Sequence, residues 1–473
     1  MAKYQVPREH YFRLHHIRPR FKNNVEGVLL FVATEISSSG PMKKTEFDSK
    51  LNKAIRRFPG NALAREKTIN NWRTEISSLF GLILYDSETD TAQPSRIAQM
   101  LAERQDLVEF FKYFCYSFQY PGGHLKPHEN KKIIEQNIKF KPAKYILKLL
   151  HHATQAGKKD FGINKAEAAH CIFNDLRVTA GSRGIEDVIS LIEINRKENK
   201  KYDWSGDVIR YAGDILDYMY YANLLKKHGY MYYLNEVEMQ AIMSFIQSEQ
   251  WYDGYDQFYC AEFEVGDLKK AQNDWFNYLS GLIGRINFET DVLAYLGIDK
   301  TKYEILEKES MAVAIREFRE RMGTEAELKT KEIGDVGVNL AYGHECIRLK
   351  NGGRKELVRK VMYIPDNLKM GFDIRSFELD ADIRHIEVKA TVSNSDLNFK
   401  TFHLTENEWN VASSMGDKYY VYRIMISRDS LKLFVIRNPI KKYKEGLLNI
   451  YLDDGPQVAF TDRTGYYEDL LVC

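Results

Sequence analysis

No Cys-x-x-Cys pair occurs in this chain of 473 residues, and its five cysteines (Cys115, Cys171, Cys260, Cys346, Cys473) stand far apart and are odd in number. That argues against a disulfide scaffold and a structural zinc site, and it suits a reducing cytoplasm. No run approaches the roughly 18 apolar residues of a membrane span. Met1 to Arg20 mix charge with aromatics and lack the apolar stretch of a secretory signal. There is no GxxxxGK loop followed by Ser or Thr, so no phosphate-cradling ATPase motor is expected. Neither HExxH nor GxSxG occurs, and no GxGxxG links a strand to a helix, which disfavours zinc hydrolases, serine hydrolases and dinucleotide enzymes. An excess of one charge is also missing: 68 Lys and Arg against 66 Asp and Glu leave +2. Any preference for a polyanion must therefore come from local clustering.

The length suggests about three domains, and 44% hydrophobic with 28% charged residues is a globular composition. The first two-thirds reads as mostly helical, and short strands dominate from about Ile333. The charged stretch Lys300 to Lys331 reads as a solvated helix and linker between them. No internal repeat of fixed period stands out.

The charge is unevenly placed. Pro41 to Asn70 carries 8 Lys/Arg against 3 Asp/Glu, and His124 to Lys159 carries 9 Lys against 2 Glu, whereas Asn235 to Asp267 is acidic. Basic blocks of this kind are the footprint of phosphate contacts. Within Ala62 to Phe80, Ile69, Trp72, Ile76 and Leu79 form one helical stripe. The other positions carry Arg65, Lys67, Asn70, Asn71, Arg73 and Thr74, side chains able to read base edges. Gly81 serves as a stop, Leu82 to Tyr85 as a strand, Asp86 to Asp90 as a turn, and a helix begins near Ser95. Helix, stop, hairpin and helix are compatible with a winged helix. The order recurs downstream. Asn164 and Glu167 form a capping box, Gly206 to His228 reads as a long helix whose Tyr211, Tyr218 and Tyr221 pack inward, and Gly229 precedes a strand-like run after which Asn235 caps the next helix. Arg8, Arg13, Arg18, Arg20 and Lys22 make a basic arm that either contacts phosphates or packs on the domain. The adjacent pairs His15-His16 and His151-His152 do not share a face and are not expected to hold metal.

The chemistry is concentrated in the last third. Gly371 to Phe377 reads as one strand, and Ile383 to Ala390 reads as the next. Residues two apart share a strand face, so Ile386, Val388 and Ala390 point one way and His385, Glu387 and Lys389 the other. Asp373, 14 residues before Glu387, is a hairpin's distance away. Two carboxylates and an ammonium on one face suit phosphodiester hydrolysis, because carboxylate oxygens hold Mg²⁺ with its waters and the ammonium positions the attacking water. Three other Glu-x-Lys triplets (Glu129 to Lys131, Glu198 to Lys200, Glu327 to Lys329) lie in polar stretches without this alternation.

Gly371-Phe372-Asp373 with Glu387-Val388-Lys389 resembles the PD-(D/E)XK nuclease motif, and more narrowly the C-terminal domain of many restriction and phage-defence proteins. The resemblance extends upstream through Gly334 to Gly337 and His344 to Leu349, and downstream through Phe402 to Glu408 and Lys418 to Arg423. It implies that Asp373 and Glu387 hold metal, that Lys389 orients water, and that a helix before the first strand adds Glu345 as a further catalytic and metal-binding carboxylate. Phe372 stands where the wider family has proline, and Val338 where its helix usually has glutamate. More loosely, Phe58 to Ala102 and Phe140 to Asn174 resemble the recognition region of type IIS restriction endonucleases, with tandem winged-helix subdomains.

The expected fold class is multidomain α+β: a mostly helical, winged-helix-like N-terminal DNA-recognition region followed by an α/β restriction-endonuclease-like domain with a mixed central sheet. The expected boundaries are 1–110 (arm and first recognition subdomain), 111–290 (second recognition subdomain), 291–332 (helical linker) and 333–473 (nuclease domain). The expected function is a Mg²⁺-dependent (or Mn²⁺-dependent) type II, specifically type IIS, restriction endonuclease of the cytoplasm that cuts double-stranded DNA to leave 5′-phosphate ends. One such site cuts one strand, so homodimerisation or a partner subunit is expected to supply a second nuclease domain, with no membrane involved. The alternatives are a modification-dependent endonuclease, a nicking subunit of a heterodimer, and a DNA-binding protein whose nuclease fold is inactive.

Overall fold

The computed structural model describes residues 3–19, 21, 24–86, 88–288, 290, 333–364, 369–394, 400–428, 430–451 and 457–471. The expected linker, with Arg20 and Lys22, lies outside them. Contacts divide the chain into two compact units, residues 1–101 with 107–289, and residues 102–106 with 290–473. Among the described residues no helix is long and apolar enough to cross a membrane.

The first unit opens with α1 (Val25–Ile36), whose sequence VEGVLLFVATEI is apolar nearly all round, as a fully buried helix requires. Strand β1 (Met42–Lys43), helices α2 (Lys44–Arg57) and α3 (Glu66–Thr74), and the hairpin β2 (Ile83–Asp86) and β3 (Thr91–Pro94) follow. The three strands pair antiparallel in the order β1-β3-β2. Ile69, Trp72, Ile76 and Leu79 are buried as one stripe, and Gly81 takes the left-handed backbone, φ 65°, that ends the helical stretch. Helix α4 (Arg96–Arg104) begins where Ser95 Oγ accepts from the Ala98 N–H, at 3.2 Å. Helix α5 (Leu107–Ser117) is buried along its whole length.

After α6 (Pro127–Glu135) the same order of elements returns: α7 (Pro142–Gln155), β4 (Ile163–Asn164), α8 (Lys165–Ala168), α9 (Leu176–Thr179), α10 (Ile185–Lys197), α11 (Gly206–Tyr221), and the hairpin β5 (Leu225–His228) and β6 (Met231–Leu234). The sheet order, β4-β6-β5, repeats that of the first. The insertion of α9 and α10 explains why no fixed period is visible in the sequence. Helix α11 ends at Tyr221, seven residues short of the expected His228, because Leu225 to His228 pair with β6 instead. Asn235 stands at the N-cap position of a short 3-10 helix (Glu236–Glu238), but its side chain makes no cap hydrogen bond there; its amide donates to the Asn223 carbonyl, at 2.7 Å. Helices α12 (Met239–Gln247) and α13 (Leu268–Leu282) complete the unit.

The capping box on α8 forms as expected. Asn164 Oδ1 accepts from the Ala166 and Glu167 N–H groups, and Glu167 Oε2 accepts from the Asn164 N–H. Asn164→Ala leaves those donors without an acceptor and should cost about 1 kcal/mol, read as a downward shift of the thermal midpoint.

Among the described residues the first long element of the second unit is a helix, α14 (Ile333–Asn351), which precedes the first strand as the resemblance implies and occupies the start of the stretch read as short strands. Its main sheet has six strands: β7 (Met362–Tyr363), β8 (Ile374–Phe377), β9 (Ile383–Val392), β11 (Tyr419–Ile426), β12 (Leu431–Arg437) and β15 (Tyr466–Asp469), in the order β15-β12-β11-β9-β8-β7. The β9–β11 pair is parallel and its neighbours are antiparallel, so the sheet is mixed. Parallel strands need a crossover. Here it carries β10 (Thr401–His403) and α15 (Glu406–Met415). Helix α16 (Pro439–Lys444) and strands β13 (Leu448–Tyr451) and β14 (Gln457–Phe460) follow β12, and β10-β14-β13 form a small second sheet. Phe402, Leu404, Tyr419, Val421, Phe434, Ile436, Val458 and Phe460 fill the core on that side. Gly337 of α14 lies so close to β9 that a Cβ there would stand 2.4 Å from the Cβ of Ala390, which puts α14 on the Arg384, Ile386, Val388 and Ala390 face.

Candidate active site and nucleic-acid interface

Strand β9 sits inside the six-stranded sheet and is covered on both faces, so its alternation separates two buried environments rather than a core from solvent. Asp373 stands just before β8, and its N–H donates to the Ile386 carbonyl, at 2.9 Å. Its carboxylate accepts from the Val388 N–H at 2.7 Å, and so rests on the β9 backbone between Glu387 and Lys389. Gly371 prepares this turn. Its φ is 72°, and a Cβ there would approach Val411 Cγ2 to 2.8 Å. Its carbonyl accepts from the Tyr419 hydroxyl, at 2.8 Å. Phe372, in the proline position of the wider motif, is buried with its ring edge-on to His385 at 4.6 Å.

Lys389 Nζ lies 2.6 Å from Glu387 Oε1 and 3.0 Å from Glu408 Oε2. Glu408 is the residue that sequence reasoning did not single out. It stands in the first turn of α15, the crossover helix. There Thr405 Oγ1 accepts from the Glu408 N–H and Glu408 Oε2 accepts from the Thr405 N–H. The signal was present as the capping-box spacing of Thr405 and Glu408. The side chain that closes the cap also faces the β9 ammonium.

The electrostatics follow from three carboxylates around one ammonium. Burial pushes the Glu387 carboxyl well above its ordinary range, Lys389 opposes that, and Asp373 and Glu408 reinforce it. Burial also opposes the charge on Lys389, but Glu387, Glu408 and Asp373 together hold its ammonium above the usual lysine range. Glu408 is held below its ordinary range: burial raises it, and the Lys389 ammonium and the Thr405 N–H outweigh that. Donor type and net negative charge fit a small divalent cation, which is bound through one or two carboxylates and otherwise keeps its waters. Among the described residues no three His, Cys, Asp or Glu side chains converge on one metal-sized space. Asp373 and Glu387 are the two carboxylates expected from the sequence that the structure brings to this cluster.

The expectation for Glu345 is corrected. Glu345 is fully buried, and its carboxylate is 2.8 and 2.7 Å from the Arg348 guanidinium, 2.7 Å from the Tyr422 hydroxyl and 3.6 Å from Arg384. Arg384 shares the β9 face that α14 covers, whereas Glu387 and Lys389 occupy the other. Glu345 is thus neutralised within its own network and is not brought to Asp373. His344 joins the same side, 3.0 Å from Glu468, with Nδ1 accepting from the Leu471 N–H.

In the first unit, Arg65, Lys67, Asn70 and Thr74 are exposed on α3 and its N-terminal cap. Asn71 and Arg73 are half-buried, and Arg73 lies 3.5 Å from Asp48. The basic blocks are less free than their composition suggests. Arg56 pairs with Glu66 and Arg57 with Glu35. Lys139 pairs with Asp256, Lys158 with Glu193, and Lys141 donates to the Gln250 carbonyl. Burial, and then Lys144, lowers Lys141 to about 7. The N-terminal arm packs on α11: Arg13 lies over the Tyr211 ring, His15 stacks on it, and Arg18 pairs with Asp214. Tyr218 packs against Phe111 and Phe114, as expected of a core residue.

Residues 4–276 match the family described as restriction endonuclease BpuJI, N terminal. Residues 339–436 match the family described as Protein NO VEIN, C-terminal. Protein NO VEIN of Arabidopsis thaliana is 27% identical over 130 residues, which are 27% of this chain, and the match spans only 4% of that relative's length. A solved structure of the BpuJ1 endonuclease binding domain in complex with pyrene- and phenanthrene-modified DNA is similar at 26% identity with a TM-score of 0.51. The alignment covers 57% of this chain and 98% of that one.

Proposed function

The chain belongs to the BpuJI N-terminal restriction endonuclease family, and from that premise we propose that it is a sequence-specific, Mg²⁺-dependent type IIS restriction endonuclease. On this reading the first unit binds duplex DNA and the second hydrolyses it as a PD-(D/E)XK nuclease. The observation that carries the reading is the meeting of Asp373, Glu387 and Lys389 on one face of β9, in a chain whose other unit belongs to a restriction-enzyme family. The two repeats of helix, strand, helix, helix and hairpin are read as winged helices, with α3 in the major groove. Of the six residues expected to read DNA there, Arg65, Lys67, Asn70 and Thr74 have the exposure to do so, whereas Asn71 and Arg73 are half-buried and Arg73 lies against Asp48.

Asp373 and Glu387 would hold the cation, which when bound acidifies a water and offsets charge on the phosphorane-like transition state. Lys389 donates hydrogen bonds that orient the nucleophilic water and meet the negative charge developing on the phosphate oxygens. Glu408 is the second carboxylate on the Lys389 ammonium, next to Glu387. Hydrolysis that leaves the phosphate on the 5′ end requires in-line attack with the 3′ oxygen as leaving group. Because the described residues hold one such cluster, cutting both strands calls for a second copy or a partner subunit.

The direct test is incubation of the purified chain with methylated and unmethylated phage DNA, with Mg²⁺ or with EDTA. Discrete metal-dependent fragments from unmethylated DNA are expected. Fragments from methylated DNA alone would favour a modification-dependent enzyme, and no cleavage in any condition would overturn the catalytic reading. A second expectation does not depend on turnover. The Glu387 carboxyl sits above its unfolded value, so without metal it costs stability once pH rises past the ordinary carboxylate range. A divalent cation held by Glu387 would displace that proton. Mg²⁺ should therefore raise the thermal midpoint more at about pH 8 than at about pH 6, and Glu387→Gln should remove the increment.

A further inference from the structure

The two hairpins of the first unit differ in chemistry. The β2–β3 tip carries Asp86, Glu88 and Asp90, and Asp86 is tied to the Glu88 N–H and the Thr89 hydroxyl. That acidic tip repels a phosphate backbone. The β5–β6 tip has the sequence Lys226-Lys227-His228-Gly229-Tyr230. Gly229 takes φ 59° in the tight turn between His228 and Met231, and this puts Tyr230 at the apex with 68% of its surface exposed. The ring of Trp204, itself 47% exposed, stands edge-on to Tyr230 at 6.2 Å and lies two residues before the start of α11. Lys227 is turned inward, over the Tyr232 ring and 3.9 Å from Asp217. Lys226 and His228 lie on the other face of the hairpin, are exposed, and have no ion-pair partner among the described residues.

Two large aromatic rings in contact at a hairpin tip gain nothing for the fold by their exposure. Beside them sit cationic or proton-accepting groups that the fold also leaves unused. That combination, absent from the other hairpin, is what a nucleic-acid backbone and groove recognise, with rings packing on sugars and base edges and Lys226 meeting a phosphate. We propose that the β5–β6 hairpin, with Trp204, is a duplex-DNA contact of the recognition unit and that the β2–β3 hairpin is not. This rests on the DNA-binding reading above and specifies which wing carries it.

The test uses the full chain and a fluorescein-labelled mixed-sequence duplex of about 30 base pairs, with binding measured by anisotropy over a KCl series. Tyr230→Ala should weaken binding about tenfold, the size of one aromatic contact to a nucleotide. Lys226→Ala should reduce the slope of log K against log KCl by about 0.9, the loss of one phosphate contact. Glu88→Ala in the other hairpin should not weaken binding. These side chains are exposed, so the thermal midpoints should match the wild type. Wild-type affinity and salt slope in both Tyr230→Ala and Lys226→Ala would overturn the proposal and leave the DNA-binding reading intact. Failure of the wild-type chain itself to bind the duplex would remove both together.

Discussion

Lys389→Ala protein should bind DNA as the wild type does and cleave it slower by a factor on the order of 10²–10³, the usual cost of deleting one pre-aligned donor to a transition-state oxygen. The ammonium is held by two carboxylates, 2.6 Å from Glu387 and 3.0 Å from Glu408, so it is positioned before substrate arrives. Removing it leaves Glu387 and Glu408 facing one another without a counter-charge. Lys389→Arg should not rescue the rate, because the planar guanidinium cannot occupy the gap of a compact ammonium between two carboxylates. Single-turnover cleavage beside anisotropy separates the two steps. Cleavage at the wild-type rate by the alanine variant would end the catalytic assignment of β9. Loss of binding and cleavage together would show a broader structural effect of the substitution.

Glu345→Ala should instead act on stability. Breaking a buried ion-pair network from one side costs about 3–5 kcal/mol, because Arg348 and Arg384 lose their shared carboxylate and the Tyr422 hydroxyl its acceptor. The effect should appear as a lower urea midpoint. Burial raises the Glu345 carboxyl, but Arg348 and Arg384 outweigh it and its folded pKa lies below the ordinary value. Its stabilisation is therefore present at neutral pH and is lost as pH falls through that depressed value. Glu345→Gln keeps the shape and one acceptor and should retain most cleavage under mild conditions. A glutamine variant with an unchanged midpoint and no cleavage would return Glu345 to the active site.

The contrast between these two residues shows what the sequence made legible. Glu387 and Lys389 were readable because a period of two needs no knowledge of the partner strand, and Asp373 because a hairpin is local. Glu345 was not. Which sheet face a helix covers depends on packing, here on the absence of a side chain at Gly337 against Ala390. Glu408 was half legible: its capping box fixed the helix start, but only the parallel crossover brings that turn beside Lys389. In the first unit, the α3 stripe, Gly81 and the Asn164 cap were local signals and appeared as read. The end of α11 was not, because Leu225 to His228 took their structure from β6. The basic blocks misled for a similar reason: the carboxylates and carbonyls that engage Lys139, Lys141 and Lys158 lie far away in sequence.

The crossover between β9 and β11 also bears on the order in which the cluster assembles. Joining β8 to β9 closes a loop of a few residues, so Asp373, Glu387 and Lys389 can come into line from local sequence alone. Placing Glu408 requires β11 to find β9 in parallel register, across a sequence separation of residues 393–418. The entropy of closing a loop grows with its length, and non-local parallel pairing is slow. A newly made chain would thus hold an aligned but mobile lysine first. It would gain the carboxylate that clamps that lysine only when β11 pairs with β9, so alignment of the proposed catalytic cluster waits on a long-range step of folding.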